Sequence, residues 1–394
     1  MPRAENLAAM RAHRGRRALV LLAATTLAIA VCSGSNAAAA TWSLQTPAAS
    51  GGTAESLYDV GCTTERDCVA VGQFLEEKTV IEEGIGITVR AEPLTESWNG
   101  SSWTAIAARP RWATTSLLRG ISCTSAMNCV AVGSAIEVFA GSIAVAMRWN
   151  GREWTRLEVP TPTEAEGAIS LLDVSCTSVS ACTATGVYHD RRSGSSHLMI
   201  QRWNGREWTL QTPPAAFGGL KAVSCASETS CTAISENALL AAKWNGREWT
   251  EQTLPSPSRG NNNLLGISCF STTACMVVGE WETGTGANVF AETWNGREWV
   301  ISTPVKPEGA RSTRFESASC TSATSCIAVG AYTEAVGNQL TLAESWNGTA
   351  WTLLTTPNPR GATSSFLRAI SCTAAALCTA DGVSSTEALV ERYA

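Results

Sequence analysis

Histidine occurs only three times in the 394 residues, and one of the three, His13, lies in a basic leader. So few imidazoles leave little material for a metal centre or a histidine acid–base pair. Charge is sparse as well: Asp, Glu, Lys and Arg make up 16% of the chain, below the usual quarter. Ser, Thr, Ala and Gly fill the gap, which disfavours long solvated helices and favours strands joined by turns. After residue 40 no apolar run reaches the roughly 20 residues a membrane-spanning helix needs. There is no phosphate-binding glycine loop and no helical metal motif, so no cofactor is expected. His189 and Asp190 lie near serines in DRRSGSSH, but no Gly-x-Ser-x-Gly elbow accompanies them.

The leader has its own character. Arg3, Arg11, Arg14, Arg16 and Arg17 precede an apolar run at 18–32, and small residues follow at 36–40. This is the pattern of a secretory signal peptide over residues 1–40, with an uncleaved anchor as the alternative. Arg16-Arg17 leaves twin-arginine export open; Val31 is bulky for lipid attachment at Cys32. Without residues 1–40 the chain has 24 basic and 33 acidic residues, a net charge of −9. Nucleic acid and anionic membrane are thereby disfavoured as partners, because both carry dense negative charge.

The cysteines define a repeat. Fifteen are present, and once Cys32 leaves with the leader fourteen remain. They form seven pairs of one spacing: Cys62/Cys68, Cys123/Cys129, Cys176/Cys182, Cys225/Cys231, Cys269/Cys275, Cys320/Cys326 and Cys372/Cys378. Successive pairs are 44 to 61 residues apart, a period that signals a solenoid, propeller or array. Each module also carries a Trp-Asn-Gly turn, as in ESWNGSSW at 96–103. Four short strands fit between these landmarks. Strand a ends at the first Cys, b starts at the second, c ends at the first Trp, and d starts near the second. Four antiparallel strands in about 50 residues is the size of a propeller blade.

The last module stops after strand c, with Tyr393 in the Trp position. Residues 42–47, WSLQTP, match strand d at 208–213, WTLQTP. An N-terminal strand that completes the last blade closes a ring and removes two exposed sheet edges. The expected fold is therefore all-β, a seven-bladed propeller over residues 41–394; an open β-array is the alternative. A monomer is expected.

If each Cys pair closes a five-residue hairpin loop, its members oppose each other about 4.5–5.5 Å apart, within disulfide range. Zinc needs four ligands per site and closer spacing, so no metal is expected. The Trp pairs read as blade-to-blade packing, each ring burying a large apolar area. A lectin with one aromatic sugar platform per blade, flanked by the Arg and Glu of WNGREW, is the functional alternative.

In such a ring the Cys hairpins and WNG turns share one face. The irregular segments share the other: the acidic loop 73–95, loops 188–197 and 280–289, and the d–a loops 107–116, 256–263 and 305–314. Variable loops on a rigid scaffold are where binding usually lives. Trp112 and Trp281, the two Trp outside repeat positions, fall there as candidate anchors. Strand a lines the central channel. Four residues before the first Cys stand Tyr58, Arg119, Leu172, Lys221, Leu265, Glu316 and Arg368. Of these, Tyr58, Arg119, Lys221, Glu316 and Arg368 would form a polar ring near the channel mouth, a candidate binding site. No catalytic residues are assigned. The expected function is a secreted non-catalytic binding or scaffold module with a protein or cell-surface glycan as partner. A polysaccharide lyase or hydrolase acting at the channel mouth is the alternative. Clustered acids there would favour the enzyme; a charged or aromatic rim would favour binding.

The modules ISCTSAMNCVAVG and ESWNGTAWTLLTTPNPRGATSSFLRAISC resemble those of uncharacterised secreted repeat proteins of actinobacterial type. The resemblance covers nearly all of residues 41–394 and implies export and a propeller-like repeat, but no established activity. The WNG turn is also similar in position to the Asp-box turn of sialidase-type propellers. It is one residue shorter and lacks the Asp, so no sialidase chemistry is implied.

Overall fold

The computed structural model describes residues 40–394, apart from 82–84, 109–112, 138–140, 166, 191, 215–218, 236–237, 259 and 386. Side chains at 78–81 and 85–88 are also outside the description. The described residues form 28 strands in seven four-stranded antiparallel sheets, with no helix among them. Each sheet is one blade. The innermost strands, a, are Thr53–Thr64, Thr115–Ser125, Ile169–Ser178, Ala222–Ser227, Asn262–Ser271, Ser312–Ser322 and Ser365–Ala374. They pack in cyclic order, the last against the first.

Blade 7 is completed by the N-terminal strand Trp42–Gln45, which pairs antiparallel with Glu387–Tyr393. The register places Trp42 opposite Tyr393 and Gln45 opposite Val390. Backbone hydrogen bonds between Thr41 and Ala394 extend the pairing in both directions, at 3.0 and 3.3 Å. The ring therefore closes as the truncated last module requires.

The strand-b sequence explains how blades stack. Cys129-Val-Ala-Val is almost continuously apolar because both faces of this strand are covered. Val130 and Val132 join a core cluster with Leu171, Val174 and Met199 of blade 3. Cys129 and Ala131 join Val69 and Val71 of blade 1. Alternate residues of one strand thus glue two different neighbours, as the two-residue period of a strand dictates.

All seven cysteine pairs are disulfides within single hairpins: Cys62–Cys68, Cys123–Cys129, Cys176–Cys182, Cys225–Cys231, Cys269–Cys275, Cys320–Cys326 and Cys372–Cys378, with Cα separations of 3.9–4.0 Å. The loops are tighter than the five residues expected. Strand pairing continues past the bridge through a one-residue register slip, for example from Cys62↔Cys68 to Thr64↔Asp67.

The bridges also lie deeper than a pair closing a surface hairpin loop would. Cys129, Cys182, Cys231 and Cys378, each the second of its pair, are at most 2% exposed. The strand alternation that turns Cys129 toward blade 1 acts on the others too. Cys182 packs with Val130 and Val132 of blade 2, Cys231 with Leu198 and Ile200 of blade 3, and Cys378 with Ile327 and Val329 of blade 6. The hairpin pairing expected of these cysteines holds, and they are at the same time core residues of the seam with the preceding blade.

The WNG turns are four-residue loops that leave the two Trp directly opposed, as at Trp98↔Trp103. The Asn99 side-chain oxygen accepts hydrogen bonds from the backbone N–H of Ser101 and Ser102, at 2.9 and 3.0 Å. Gly100 takes a φ of +93°, a conformation costly for any residue with a Cβ.

Three of the segments read as irregular loops are largely paired strand. In blade 3, Tyr188, His189 and Asp190 pair with His197, Ser196 and Ser195. In blade 1, strands Asp67–Ile81 and Ile85–Trp98 stay in register from Cys68↔Trp98 out to Ile81↔Ile85. In blade 5, pairing runs out to Thr283↔Gly286. Acidic and glycine-rich composition there disguised hairpin arms whose exposed faces tolerate polar residues.

Candidate functional site: the central channel

The channel wall is built from a repeated five-residue pattern on strand a. Five positions before the first Cys stands Leu57, Leu118, Leu171, Leu220, Leu264, Phe315 or Leu367, each at most 1% exposed. These side chains anchor the strand in the blade interior. The next residue falls at a β-bulge in six blades, where the register slips, as between Leu57 and Asp59 or Leu118 and Gly120. A bulge breaks the in–out alternation and re-aims the side chain. The re-aimed residues are those expected at the channel mouth.

A glycine on strand b makes room for each bulge. A Cβ on Gly72, Gly133, Gly186, Gly279, Gly330 or Gly382 would lie 1.9–2.2 Å from a strand-a carbonyl oxygen. In blade 4 the equivalent residue is Ser235. There strand a begins only at Ala222, opposite Ile234, and Lys221 N–H also donates to Ile234 O at 2.8 Å.

Tyr58, Arg119, Leu172, Lys221, Leu265, Glu316 and Arg368 all line one cavity of about 370 Å³. The structure thus brings together the five polar ring residues read from the sequence. The Arg368 guanidinium lies 4.8 Å from the Tyr58 ring centre and 4.5 Å from that of Phe366. The Arg119 guanidinium is 5.8 Å from Tyr58. Glu316 is tied to Arg314 by a 2.6 Å ion pair, and Arg314 also reaches Glu280 at 3.1 Å. With Glu316 so engaged, Arg119 and Arg368 flank the Tyr58 ring, and Lys221 lines the same cavity.

Two acids that the sequence reading did not single out lie in the same wall. Asp59 accepts from its neighbour Val60 N–H at 2.9 Å and from Ile121 N–H of blade 2 at 2.6 Å. Asp173 repeats this with Val174 and Val223 of blade 4, both at 2.7 Å. Burial pushes the Asp173 carboxyl up to about 6, against two backbone donors and the nearby Lys221 charge. Burial, then the charge of Asp173, raises Asp59 well above the ordinary range. Asp381, on the adjacent strand of blade 7, is also raised by burial and by Asp59, with Arg368 opposing. Asp59 and Asp173 fill two of the seven copies of a repeat position that otherwise holds Gly, Ala or Ser, a departure visible in the sequence.

Deeper in the channel runs a ring of serines. The hydroxyl before each first Cys accepts the Cys N–H of the next blade, as Ser122 does from Cys176 at 2.9 Å and Ser371 from Cys62 at 3.0 Å. Six of the seven seams have this bond; Gly61 replaces serine at the seam with Cys123. The small residues expected at the crowded axis are thus also fasteners.

The other candidates lie elsewhere. Trp281 is half-buried on strand b of blade 5, opposite Asn262 and Asn288, and packs against the cluster that holds Ile234 and Leu254. Trp112 lies outside the described residues. The Trp pairs pack at 5.5–5.7 Å between ring centres, and Trp98 and Trp103 share a core with Ala388 and Val390 of blade 7. No cluster of three metal-ligating side chains occurs among the described residues.

A further set of acids was missed. Two residues before the first Trp or its Tyr393 equivalent stand Glu96, Glu292, Glu344 and Glu391, all fully buried. Burial pushes Glu96 and Glu344 up to about 7, and Glu292 and Glu391 up to about 8. Glu96 accepts from Ala48 N–H at 2.9 Å and Glu344 from Val305 N–H at 2.8 Å. Gln201 at the same position donates to Pro160 O at 2.7 Å. Each of these three pins a Pro-containing d–a loop, a structural rather than chemical use.

No known family model matches the chain, and no curated protein does. Solved structures that share the fold do so at low identity. A structure of YCF48 bound to D1 peptide is 11% identical, with a TM-score of 0.55 over 89% of this chain and 96% of that one. A catalytically inactive virginiamycin B lyase from Staphylococcus aureus with quinupristin is 11% identical, with a TM-score of 0.55 over 90% and 99%. U3-55K is 9% identical, with a TM-score of 0.56 over 90% and 98%. The chain is thus similar to structures that include a peptide-bound protein and a lyase, and the likeness is one of fold alone.

Proposed function

We propose that this protein is an exported, non-catalytic binding module whose channel mouth recognises an anionic group on a protein or cell-surface glycan. The observation that carries this is that Arg119 and Arg368 both face the Tyr58 ring in a cavity that Lys221 also lines, with Glu316 already paired to Arg314. Guanidinium groups favour carboxylates, sulfates and phosphates, and an aromatic face takes the apolar side of a sugar or side chain. Seven disulfides suit an oxidising compartment outside the cell, in line with the leader and with the resemblance to actinobacterial secreted repeats. Fold neighbours include a propeller bound to a peptide, which supports binding as a use of such a ring.

The enzymatic reading rests on Asp59 and Asp173, buried acids with raised proton affinity in the channel wall. Binding is preferred because both carboxylates are occupied by backbone donors from two strands. The test is a glycan and peptide array probed with the wild type and with Arg119→Ala and Arg368→Ala. Preference for carboxylated or sulfated ligands, reduced at least tenfold in the variants, is expected. Equal binding by the variants would overturn the reading. Cleavage of a bound polysaccharide, lost in Asp173→Asn, would favour the enzyme.

A further inference from the structure

Three seams on the stapled face close in one way. The residue before the first Trp of a blade, or before its Tyr393 equivalent, reaches over the first Trp of the next. Arg202 lies over Trp244 at 4.6 Å, Lys243 over Trp294 at 4.5 Å, and Arg392 over Trp98 at 4.7 Å. The two guanidiniums also donate to the carbonyl three residues past the first Cys of that next blade. Arg202 Nη2 bonds Glu228 O at 2.7 Å, and Arg392 Nη2 bonds Glu65 O at 2.9 Å.

The seam between blades 5 and 6 has every part of this arrangement except the cation. Thr293 stands where Arg202 and Arg392 stand, and its side chain is too short to cross. Trp346 stands where Trp244 and Trp98 stand, and Ala323 occupies the position of Glu228 and Glu65. A cleft of about 390 Å³ opens there, lined by Thr293, Trp346 and Ala323. Phe270, 53% exposed, also lines it. Trp98 and Trp244, beneath their guanidiniums, are only 7% and 8% exposed, whereas Trp346, like Trp294 beneath the slimmer Lys243, is half-buried. A second, smaller cleft of about 280 Å³ lies between blades 1 and 2, where the crossing residue is Ser97. Both clefts open where the crossing side chain is short.

We propose that the cleft between blades 5 and 6 is a binding site for an arginine side chain of a partner protein. The incoming guanidinium stacks on Trp346 and donates to the Ala323 carbonyl, as Arg202 and Arg392 do within the chain. Stacking on an indole and bonding to a carbonyl at once suits the planar guanidinium with its fork of donors. The chain's net charge of −5 draws a basic partner toward it. This site is on the opposite face from the channel mouth and selects the opposite charge.

The test is an indole ¹⁵N NMR titration of the whole protein, with the Trp346 resonance identified through Trp346→Phe. The probes are N-acetyl-arginine amide and its neutral isostere N-acetyl-citrulline amide. A saturable shift of the Trp346 signal with the arginine probe is expected, with citrulline at least tenfold weaker. Thr293→Arg, which supplies the missing guanidinium from within and leaves the blade core untouched, should abolish the shift. Equal response to citrulline or to a neutral hexose, no saturable shift, or full binding by Thr293→Arg would overturn the proposal.

Discussion

Glycine ten residues after the first Cys makes room for the strand-a carbonyl at the bulge. Six blades have it and carry the register slip within the ladder; in blade 4, with Ser235, the ladder ends at Ala222. A methyl group on Gly133 would lie 2.0 Å from the Leu117 carbonyl oxygen, and backbone cannot give way as a flexible side chain does. Gly133→Ala should therefore cost about 2–4 kcal/mol, at the high end for a single substitution. Thermal denaturation would show it, and an unchanged melting temperature would separate the glycine from the bulge. The Val-Gly at the end of each CVAVG motif was visible in the sequence, but its reason was not. The clash lies across strands and depends on a one-residue slip that no local pattern marks. The ring of channel residues was legible because those positions diverge while their neighbours repeat. Asp59 and Asp173 were illegible because an isolated Asp in a strand reads as a solvated charge, and their burial depends on backbone donors from a neighbouring blade.

The hairpin is the element in which most of the fold was readable. Cys spacing gave the a–b turn, Asn-Gly gave the c–d turn, and the missing last strand gave closure. The loop lengths were less legible, because pairing continues past the disulfide and past the composition change in the b–c arms. The depth of Cys182, Cys231 and Cys378 was illegible for a related reason: the chain spacing that pairs them says nothing of the preceding blade that covers them. Buried Glu96, Glu292, Glu344 and Glu391 escaped notice because a Glu two residues from a Trp reads as a solvated charge. Its burial arises only when a neighbouring blade covers that face. Each disulfide closes a short loop, for which chain entropy gives roughly 2 kcal/mol. Replacing both Cys123 and Cys129 by Ala also removes the buried Cys129 sulfur from the seam with blade 1, so stability should fall by about 3–4 kcal/mol in a denaturant titration. A loss several times larger would mean that the bridge also sets the strand register.

Across the whole molecule, the buried glutamic acids link stability to pH. Their folded-state proton affinities are raised to about 7 or 8, so between about pH 4.5 and 8 the folded chain holds more protons than the unfolded one. Stability should be full below this window and fall as pH rises through it. The melting temperature is expected to be several degrees higher at pH 5 than at pH 8, and Glu292→Gln should flatten the slope. A melting temperature that rises from pH 5 to pH 8 would contradict this.

The central claim is one closed ring of seven separately stapled blades, with residues 42–45 as the last strand. Ser43 and Arg392 are directly opposed across the closing pair, so a Ser43→Cys, Arg392→Cys variant places a reporter at the closure. Non-reduced peptide mapping of this variant by mass spectrometry tests closure and all seven bridges together. The expected result is seven bridges each joining a cysteine to the one six residues on, and an intramolecular bond between the two introduced thiols. Pairing between modules, or introduced thiols that stay free or link separate molecules, would contradict it.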